Sequence, residues 1–381
     1  MLNIAVLGCT GSIGVQTLNV VRRYSRLFHI SALCCGTNAN LLIEQAKEFK
    51  PEFVGISDEK QAHRLKELDY GCKTCVGKEA QIIAGAMDEV DIVVCGVVGL
   101  AGIDGVVSAV KSGKRVALAN KETLVSCGQF VMNLAKTTGA EIIPVDSEHS
   151  AIFQCLNADK NARLRRIILT ASGGPFRGKT KEFLSMVTPA QAVAHPNWNM
   201  GKKISVDSAT MMNKGLEIIE ARWLFNTQNI DYIIQPKSII HSMVEFYDGS
   251  VFAQIARPTM EMPIQYALTY PERLDLGQAQ FDFSQAIEFY PPDEETFPMP
   301  TYCRKALEIG GTMPAMINSA NECAVKLFLE EKIGFLDIMK IVEHTLITER
   351  ADEYNSVEQI KQIHDEIYNK IANNYRSITE N

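Results

Sequence analysis

Short apolar runs recur through the first 150 residues, at 4–7, 30–34, 53–56, 92–94, 116–119 and 142–145, with amphipathic stretches between them. Runs of that length at that rhythm predict strands covered on both faces, hence a parallel doubly wound sheet with helices in the crossovers. Residues 40–50 supply one such helix: Leu41, Leu42, Ile43, Ala46 and Phe49 fall near a 3.6-residue period. The first domain is expected to close near Val145. From residue 166 the pattern turns mixed. A strand-like run at 166–170 leads into a Gly-, Pro- and Lys-rich stretch, 173–203, which is too broken for one regular element and carries Trp198. A stretch of that length inside a compact chain reads as a lid or binding loop. The runs 238–246 and 251–256 flank Tyr247-Asp248-Gly249-Ser250 and predict an antiparallel hairpin. Pro291, Pro292 and Pro298 mark a linker. Beyond it, 335–346 is helical in pattern, and Ser356-Val357-Glu358-Gln359 has capping-box spacing ahead of Val357, Ile360, Ile363, Ile367 and Ile371 on one face.

Composition narrows the function classes. Apolar residues are 46% and charged residues 22%, ordinary for a folded chain. Lys plus Arg is 38 against 45 for Asp plus Glu, a net charge of −7, which argues against non-specific binding to nucleic acid or an anionic membrane. An anionic ligand therefore needs a local basic pocket. No run approaches the roughly 18 to 20 apolar residues of a membrane-spanning helix, and the N-terminus shows no secretory pattern. A cytoplasmic location is expected, in which the ten cysteines read as thiols. Cys72-Lys73-Thr74-Cys75 has zinc spacing, but no second ligand pair follows at a suitable distance.

Candidate chemistry begins at Gly8-Cys9-Thr10-Gly11-Ser12-Ile13-Gly14, between the first strand and a helix. Glycines there permit a tight turn and close approach of a dinucleotide pyrophosphate to the helix N-terminus; the alternative is a plain Gly-rich turn. The second strand ends in Cys34-Cys35-Gly36-Thr37-Asn38 without the carboxylate that NAD binding usually wants, which favours NADP. Asp146-Ser147-Glu148 follows the run at 142–145. Two carboxylates at i and i+2 point to one side if the extended conformation continues, and suit a cation; the alternative is a solvated turn with a helix cap. Ser208 to Glu217 is rich in hydroxyls beside Lys214. In a helix beginning near Ser208, Asn213, Lys214 and Glu217 share about one turn, with donors for a phosphate and a third hard oxygen for Mg²⁺ or Mn²⁺.

Taken with Leu118 to Glu122, Pro144 to His149, Ala171 to Phe176 and His195-Pro196-Asn197-Trp198, these segments resemble the 1-deoxy-D-xylulose 5-phosphate reductoisomerases in order and spacing. The resemblance extends to the C-terminal helices. It implies an NADPH- and divalent-metal-dependent oxidoreductase (Mg²⁺ or Mn²⁺, with Co²⁺ also accepted) of the non-mevalonate isoprenoid route. The substrate would be a small phosphorylated sugar, and the partner a second copy in a homodimer. It implies Asp146, Glu148 and Glu217 as metal ligands, and Ser172, Ser208, Asn213 and Lys214 as the phosphate grip. Lys121, Ser147, Glu148 and His195 would face the carbonyl and hydroxyl region, with Lys121, Glu148 and His195 catalytic. Thr10, Gly11, Ser12, Ile13, Gly36, Asn38, Asn120, Glu122 and Gly201 would line the cofactor site, and Trp198 and Met200 the covering loop, with Met200 also touching cofactor. Thr37 departs from the family, where Lys is common.

The expected architecture is α/β: a Rossmann-like NADPH-binding domain over 1–146 and a middle α+β catalytic domain over 147–272 with the flexible loop 173–203. A linker over 273–295 then leads to a C-terminal α-helical bundle over 296–381. His149 reads as orienting Asp146 or capping a helix, Met211-Met212 as core, and Asn318 and Asn321 as buried hydrogen-bonding amides. Two rival functions remain at this level. One is another NADPH dehydrogenase acting on a phosphorylated sugar or semialdehyde; the other is a nucleotide sensor without catalysis. The carboxylate triad with a Lys/Ser/Asn pocket separates the sensor from the enzymes.

Overall fold

The apolar runs of the first 145 residues become strands. The computed structural model describes residues 1–194, 198, 200–284 and 286–379, and its strands β1 (Leu2–Leu7), β2 (Phe28–Cys35), β3 (Phe53–Ile56), β4 (Lys73–Val76), β5 (Ile92–Cys95), β6 (Arg115–Leu118) and β7 (Glu141–Pro144) form one sheet. Every pairing is parallel and the order is β4-β3-β2-β1-β5-β6-β7. Strand order reverses between β1 and β5, so the glycine turn after β1 stands at the switch point of the sheet, where such folds bind their ligands. Strand β4 has no counterpart among the sequence expectations. It is an edge strand whose Lys73 and Thr74 are exposed, so it needs no continuous apolar run. All ten cysteines are free thiols.

This sheet belongs to a unit made of Met1–Thr123, Gln129–Ser150 and Thr259–Ala279. The last segment contributes the helix Glu261–Thr269, which packs on the helix Ser12–Arg23. Arg23 pairs with Glu261 of that helix at 3.7 Å and donates to the Leu276 carbonyl, beyond the helix, at 2.7 Å.

The second unit comprises Leu124–Gly128, Ala151–Pro258 and Gln280–Asn381. The chain therefore changes unit after residues 123, 128, 150, 258 and 279, the first three of these inside the helices Lys121–Thr138 and Ser147–Ala158. Its sheet contains β8 (Leu164–Ala171), β9 (Ile230–Ile234), β10 (Ile240–Phe246) and β11 (Val251–Ile255), in the order β11-β10-β8-β9. β10 pairs antiparallel with β11 and β8, and β9 runs parallel to β8. The expected hairpin is present, its turn closed by Asp248 Oδ1 accepting the Ser250 N–H at 2.9 Å. β9 went unanticipated because Asp231 interrupts a five-residue run on its exposed side. Helices Met212–Phe225, Met299–Ile309, Met313–Leu329, Phe335–Thr348 and Val357–Thr379 complete the unit. Phe335 organises their core, with Phe176 and Phe328 ring centroids 5.2 and 5.7 Å away. Phe176, Leu184 and Ala192 are buried, so much of the stretch 173–192 is fastened to that core through the short helices Lys181–Leu184 and Pro189–Ala192. At the last helix Gln359 reaches back to the N–H of Asn355, one residue earlier than a capping box requires. Among the described residues no helix is long and apolar enough to cross a membrane.

The last helix is tied to Met313–Leu329 by His364 Nε2 and Glu322 Oε2, 3.2 Å apart. Burial works to lower the His364 pKa, but the hydrogen bonds and charges of Glu322 and Asp365 outweigh it and hold it above 6.5. Burial also works against the Glu322 carboxylate, but the His364 hydrogen bond, Lys203 and Asn318 hold its pKa below 4.5. The His contribution is complete below pH 6.5 and fades as pH rises through its raised value. The Glu contribution is complete above pH 4.5 and fades as pH falls through its lowered value. Denaturant unfolding of His364→Gln should therefore show its largest deficit against wild type between about pH 5 and 6.5, shrinking toward pH 9. A deficit that stays constant across that range would contradict the ion pair.

Candidate active site

The glycine turn is built by backbone approach. Gly8 has φ +85°, and a Cβ there would stand 2.9 Å from the Gly96 carbonyl carbon; one on Gly14 would stand 2.3 Å from the Gly8 carbonyl oxygen. Thr10, Gly11, Ser12 and Ile13 occupy the turn, which enters the helix Ser12–Arg23 at Gly11 with no side chain capping it. The helix N-terminus is thus left to a ligand's negative charge. Gly36 and Asn38 follow β2, and Asn38 caps the helix Ala39–Phe49 by accepting the Leu41 N–H at 3.2 Å. Burial pushes the Cys35 thiol up to about 12, against hydrogen bonding with the Thr10 side chain and the Asn38 backbone, which lowers it. Burial likewise raises Cys9 and Cys34, with neighbouring thiols adding to it. The cysteines around the turn are therefore neutral near pH 7 and add no charge to a pyrophosphate site.

Asn120 caps the helix Lys121–Thr138, its Oδ1 accepting the Thr123 N–H at 3.1 Å. Its Nδ2 donates to the Val97 and Gly99 carbonyls at 2.7 and 2.9 Å and to Glu122 at 3.2 Å. One amide thus joins the loop after β5 to the end of β6 and leaves Lys121 as the first helical residue. Lys121 Nζ then lies 2.6 Å from Asp146 Oδ2, both groups largely buried. Asp146 follows β7, where Val145 N–H still pairs with the Leu118 carbonyl at 2.9 Å. The extended conformation assumed for 146–148 does not continue. A helix starts at Ser147, because the Asp146 carbonyl accepts the Ser150 N–H at 2.8 Å. Asp146 and Glu148 still offer oxygens within 4.8 Å of each other, and Ser147 Oγ donates to Glu148 at 2.5 Å. His149 is fully buried, with Nδ1 4.0 Å from Asp146.

The second unit carries the other residues. Ser172 ends the run of β8 and its Oγ accepts the Gly174 N–H at 3.2 Å. Gly174, at φ +69°, lies where a Cβ would be 2.6 Å from the Ser208 carbonyl oxygen, so the Ser172 turn and the Ser208 helix meet backbone to backbone. The helix expected to begin near Ser208 begins at Met212 instead. Ser208 belongs to the preceding helix Lys202–Ala209, and the break between them is Thr210 and Met211, the latter left-handed at φ +64°. Thr210 Oγ1 accepts the Met212 N–H at 3.3 Å across the break. From the new helix start, Asn213 Nδ2 donates to Glu217 Oε1 at 2.5 Å and Lys214 pairs with Glu217 Oε2. Lys214 and Glu217 are almost completely buried. Trp198 and Met200 are half-buried, and Gly201 caps the helix Lys202–Ala209. His195 lies outside the described residues. Sequence reasoning passed over Thr123 and Thr210; an N-cap Asn at the end of an apolar run was the signal for the first.

A 1-deoxy-D-xylulose 5-phosphate reductoisomerase sequence model matches residues 4–128, the C-terminal domain model of that family 142–225, and a DXP reductoisomerase C-terminal domain model 255–370. A 1-deoxy-D-xylulose 5-phosphate reductoisomerase from Lachnospira eligens is 49% identical over 94% of this chain and 96% of its own length. One from Thermoanaerobacter pseudethanolicus is 46% identical over 98% of this chain and 100% of its own. Among solved structures, the Zymomonas mobilis enzyme in complex with NADPH has a TM-score of 0.93 at 40% identity, covering 99% of each chain. A DOX-P reductoisomerase with NADPH, fosmidomycin and magnesium has a TM-score of 0.93 at 36% identity, covering 100% of this chain and 98% of its own.

Removing the Asn120 amide tests how far the first unit's site depends on it. Asn120→Ala should cost about 2 kcal/mol in urea unfolding, from the lost cap and the two abandoned carbonyls. Asn120→Asp should lose as much, because it turns an acceptor toward two carbonyls and Glu122. Loss under about 0.5 kcal/mol for both would show that Asn120 is not the joint described.

Proposed function

Because the chain belongs to the 1-deoxy-D-xylulose 5-phosphate reductoisomerase family, we propose that it converts 1-deoxy-D-xylulose 5-phosphate to 2-C-methyl-D-erythritol 4-phosphate, an NADPH- and metal-dependent rearrangement and reduction in isoprenoid precursor synthesis. The observation that carries this reading is the pair Asp146 and Glu148 at the carboxyl edge of the sheet whose switch point bears the glycine cradle. Two carboxylates in reach of one ion are the hard-oxygen donor set that Mg²⁺ or Mn²⁺ prefers, and the tight turn that Gly8 and Gly14 permit ends in a helix N-terminus with no side-chain cap, which suits a dinucleotide pyrophosphate. Both groups fit the residues present.

Asp146, Glu148 and Glu217 would hold the metal, and Thr10 to Ile13, Gly36, Asn38, Asn120, Glu122, Met200 and Gly201 would line the cofactor. When bound, the ion polarises the substrate ketone as a Lewis acid and NADPH supplies the hydride. The chain's own residues bind and orient. Lys121 steadies Asp146 and offers an ammonium to the substrate's oxygens, while Ser147 fixes one Glu148 oxygen. Ser172, Ser208, Asn213 and Lys214 supply hydroxyl, amide and ammonium donors to the phosphate, the charge-assisted bonds such a group favours. His195 and Trp198 are proposed to contact the substrate.

NADPH oxidation with 1-deoxy-D-xylulose 5-phosphate should stop in EDTA and return on adding Mg²⁺ or Mn²⁺, with the branched product identified by mass. Glu217→Gln keeps the shape but removes a ligand charge, so Mn²⁺ affinity and kcat/KM should both fall at least about 100-fold. Undiminished turnover in metal-free buffer would reject the reading. With no carboxylate at 36–38, NADPH should exceed NADH in kcat/KM; equal values would show that Thr37 leaves the cofactors undistinguished.

A further inference from the structure

The helix Lys202–Ala209 is tied to the helix Met313–Leu329 by a buried polar network that the reaction derived above does not use. Asp207, next to Ser208, is buried with both oxygens engaged: Oδ1 accepts Asn321 Nδ2 at 2.7 Å and Oδ2 accepts Lys203 Nζ at 2.8 Å. Asn321 is fully buried. A carboxylate carries no donor, so the amide nitrogen must be the end facing Asp207. The neighbouring Glu322 takes its hydrogen bonds from Asn318 Nδ2 at 3.0 Å and His364 Nε2 at 3.2 Å, and shares only the charge of Lys203 with Asp207.

The two partners of Asp207 do different work. Lys203 sits one turn earlier on the same helix, so its bond to Asp207 fixes a side-chain conformer, while across the helices its charge reaches Glu322 without a directed hydrogen bond. Asn321 comes from another element and resists rotation of the helix about its own axis. On the opposite constraint, the Ser208 carbonyl presses on Gly174 with space for no Cβ. Rotation is therefore held at two adjacent residues, at the Asp207 side chain and at the Ser208 carbonyl itself.

We propose that Asn321 is a positioning residue for the phosphate grip, acting through Asp207 to fix the helix Lys202–Ala209 and so the direction of the Ser208 hydroxyl. The proposal rests on the reading that Ser208 binds the substrate phosphate. Losing Asn321 leaves a buried carboxylate oxygen unpartnered, which the helix relieves by turning toward water or another donor.

The test is a double-mutant cycle on the full-length enzyme with its metal, following KM for 1-deoxy-D-xylulose 5-phosphate and for NADPH. Ser208→Ala should raise the sugar-phosphate KM. Asn321→Leu should raise it about tenfold, the size of one lost hydrogen bond to a charged group, and leave the NADPH KM within about twofold. If Asn321 acts through Ser208, the double variant should be no worse than the more impaired single one. Should Asn321→Leu not fold, Asn321→Ala removes the same donor with less bulk and completes the same cycle. An unchanged sugar-phosphate KM, full additivity with Ser208→Ala, or an equal rise in both KM values would overturn the proposal. A Ser208→Ala enzyme with normal KM would instead remove the phosphate reading, and the proposal with it.

Discussion

A carboxylate withdrawn from water has to be met by a cation or by several donors, and that requirement shapes the chemistry-bearing parts of both units. Asp146 is met by Lys121, Glu217 by Lys214 and Asn213, and Asp207 by Lys203 and Asn321. In each case a helix sets the lysine. Lys214 and Glu217 are three residues apart, Lys203 and Asp207 four, and Lys121 is the first residue after an Asn cap. Such pairs add little net stability, because desolvation offsets most of the attraction. What they provide is geometry, since each carboxylate points where its partners allow.

The apolar frame holds these pairs in place. Strand β1 is buried along Ile4 to Leu7, and the Asn120 amide transfers that rigidity from the loop after β5 to the helix that presents Lys121. In the second unit the backbone contact between Gly174 and Ser208 does similar work without any side chain.

How much of this could be read beforehand depends on what each element has to bury. The central strands bury both faces and announce themselves as apolar runs, and the long helices show their periodicity. β4 and β9 bury less, carry Lys73 and Asp231, and leave no such run. The residue types around 146–148 and 208–217 pointed to metal and phosphate chemistry, but their local conformation did not follow from spacing. The helix starts at Ser147 and Met212 depend on a carbonyl at Asp146 and a left-handed Met211, backbone facts that no pattern of side chains encodes. Asn321 looked like an ordinary buried amide, because its partner Asp207 lies 114 residues away.

The chain's five crossings between units mean that no single cut yields either one whole. Residues 124–128 lie inside a helix whose flanks belong to the other unit, and 259–279 return to the first long after it was left. During synthesis on a ribosome, the N-terminal sheet emerges more than a hundred residues before the helix Glu261–Thr269 that covers part of it. The nascent first unit must therefore wait, with a face of the helix Ser12–Arg23 uncovered, until much of the second has been made.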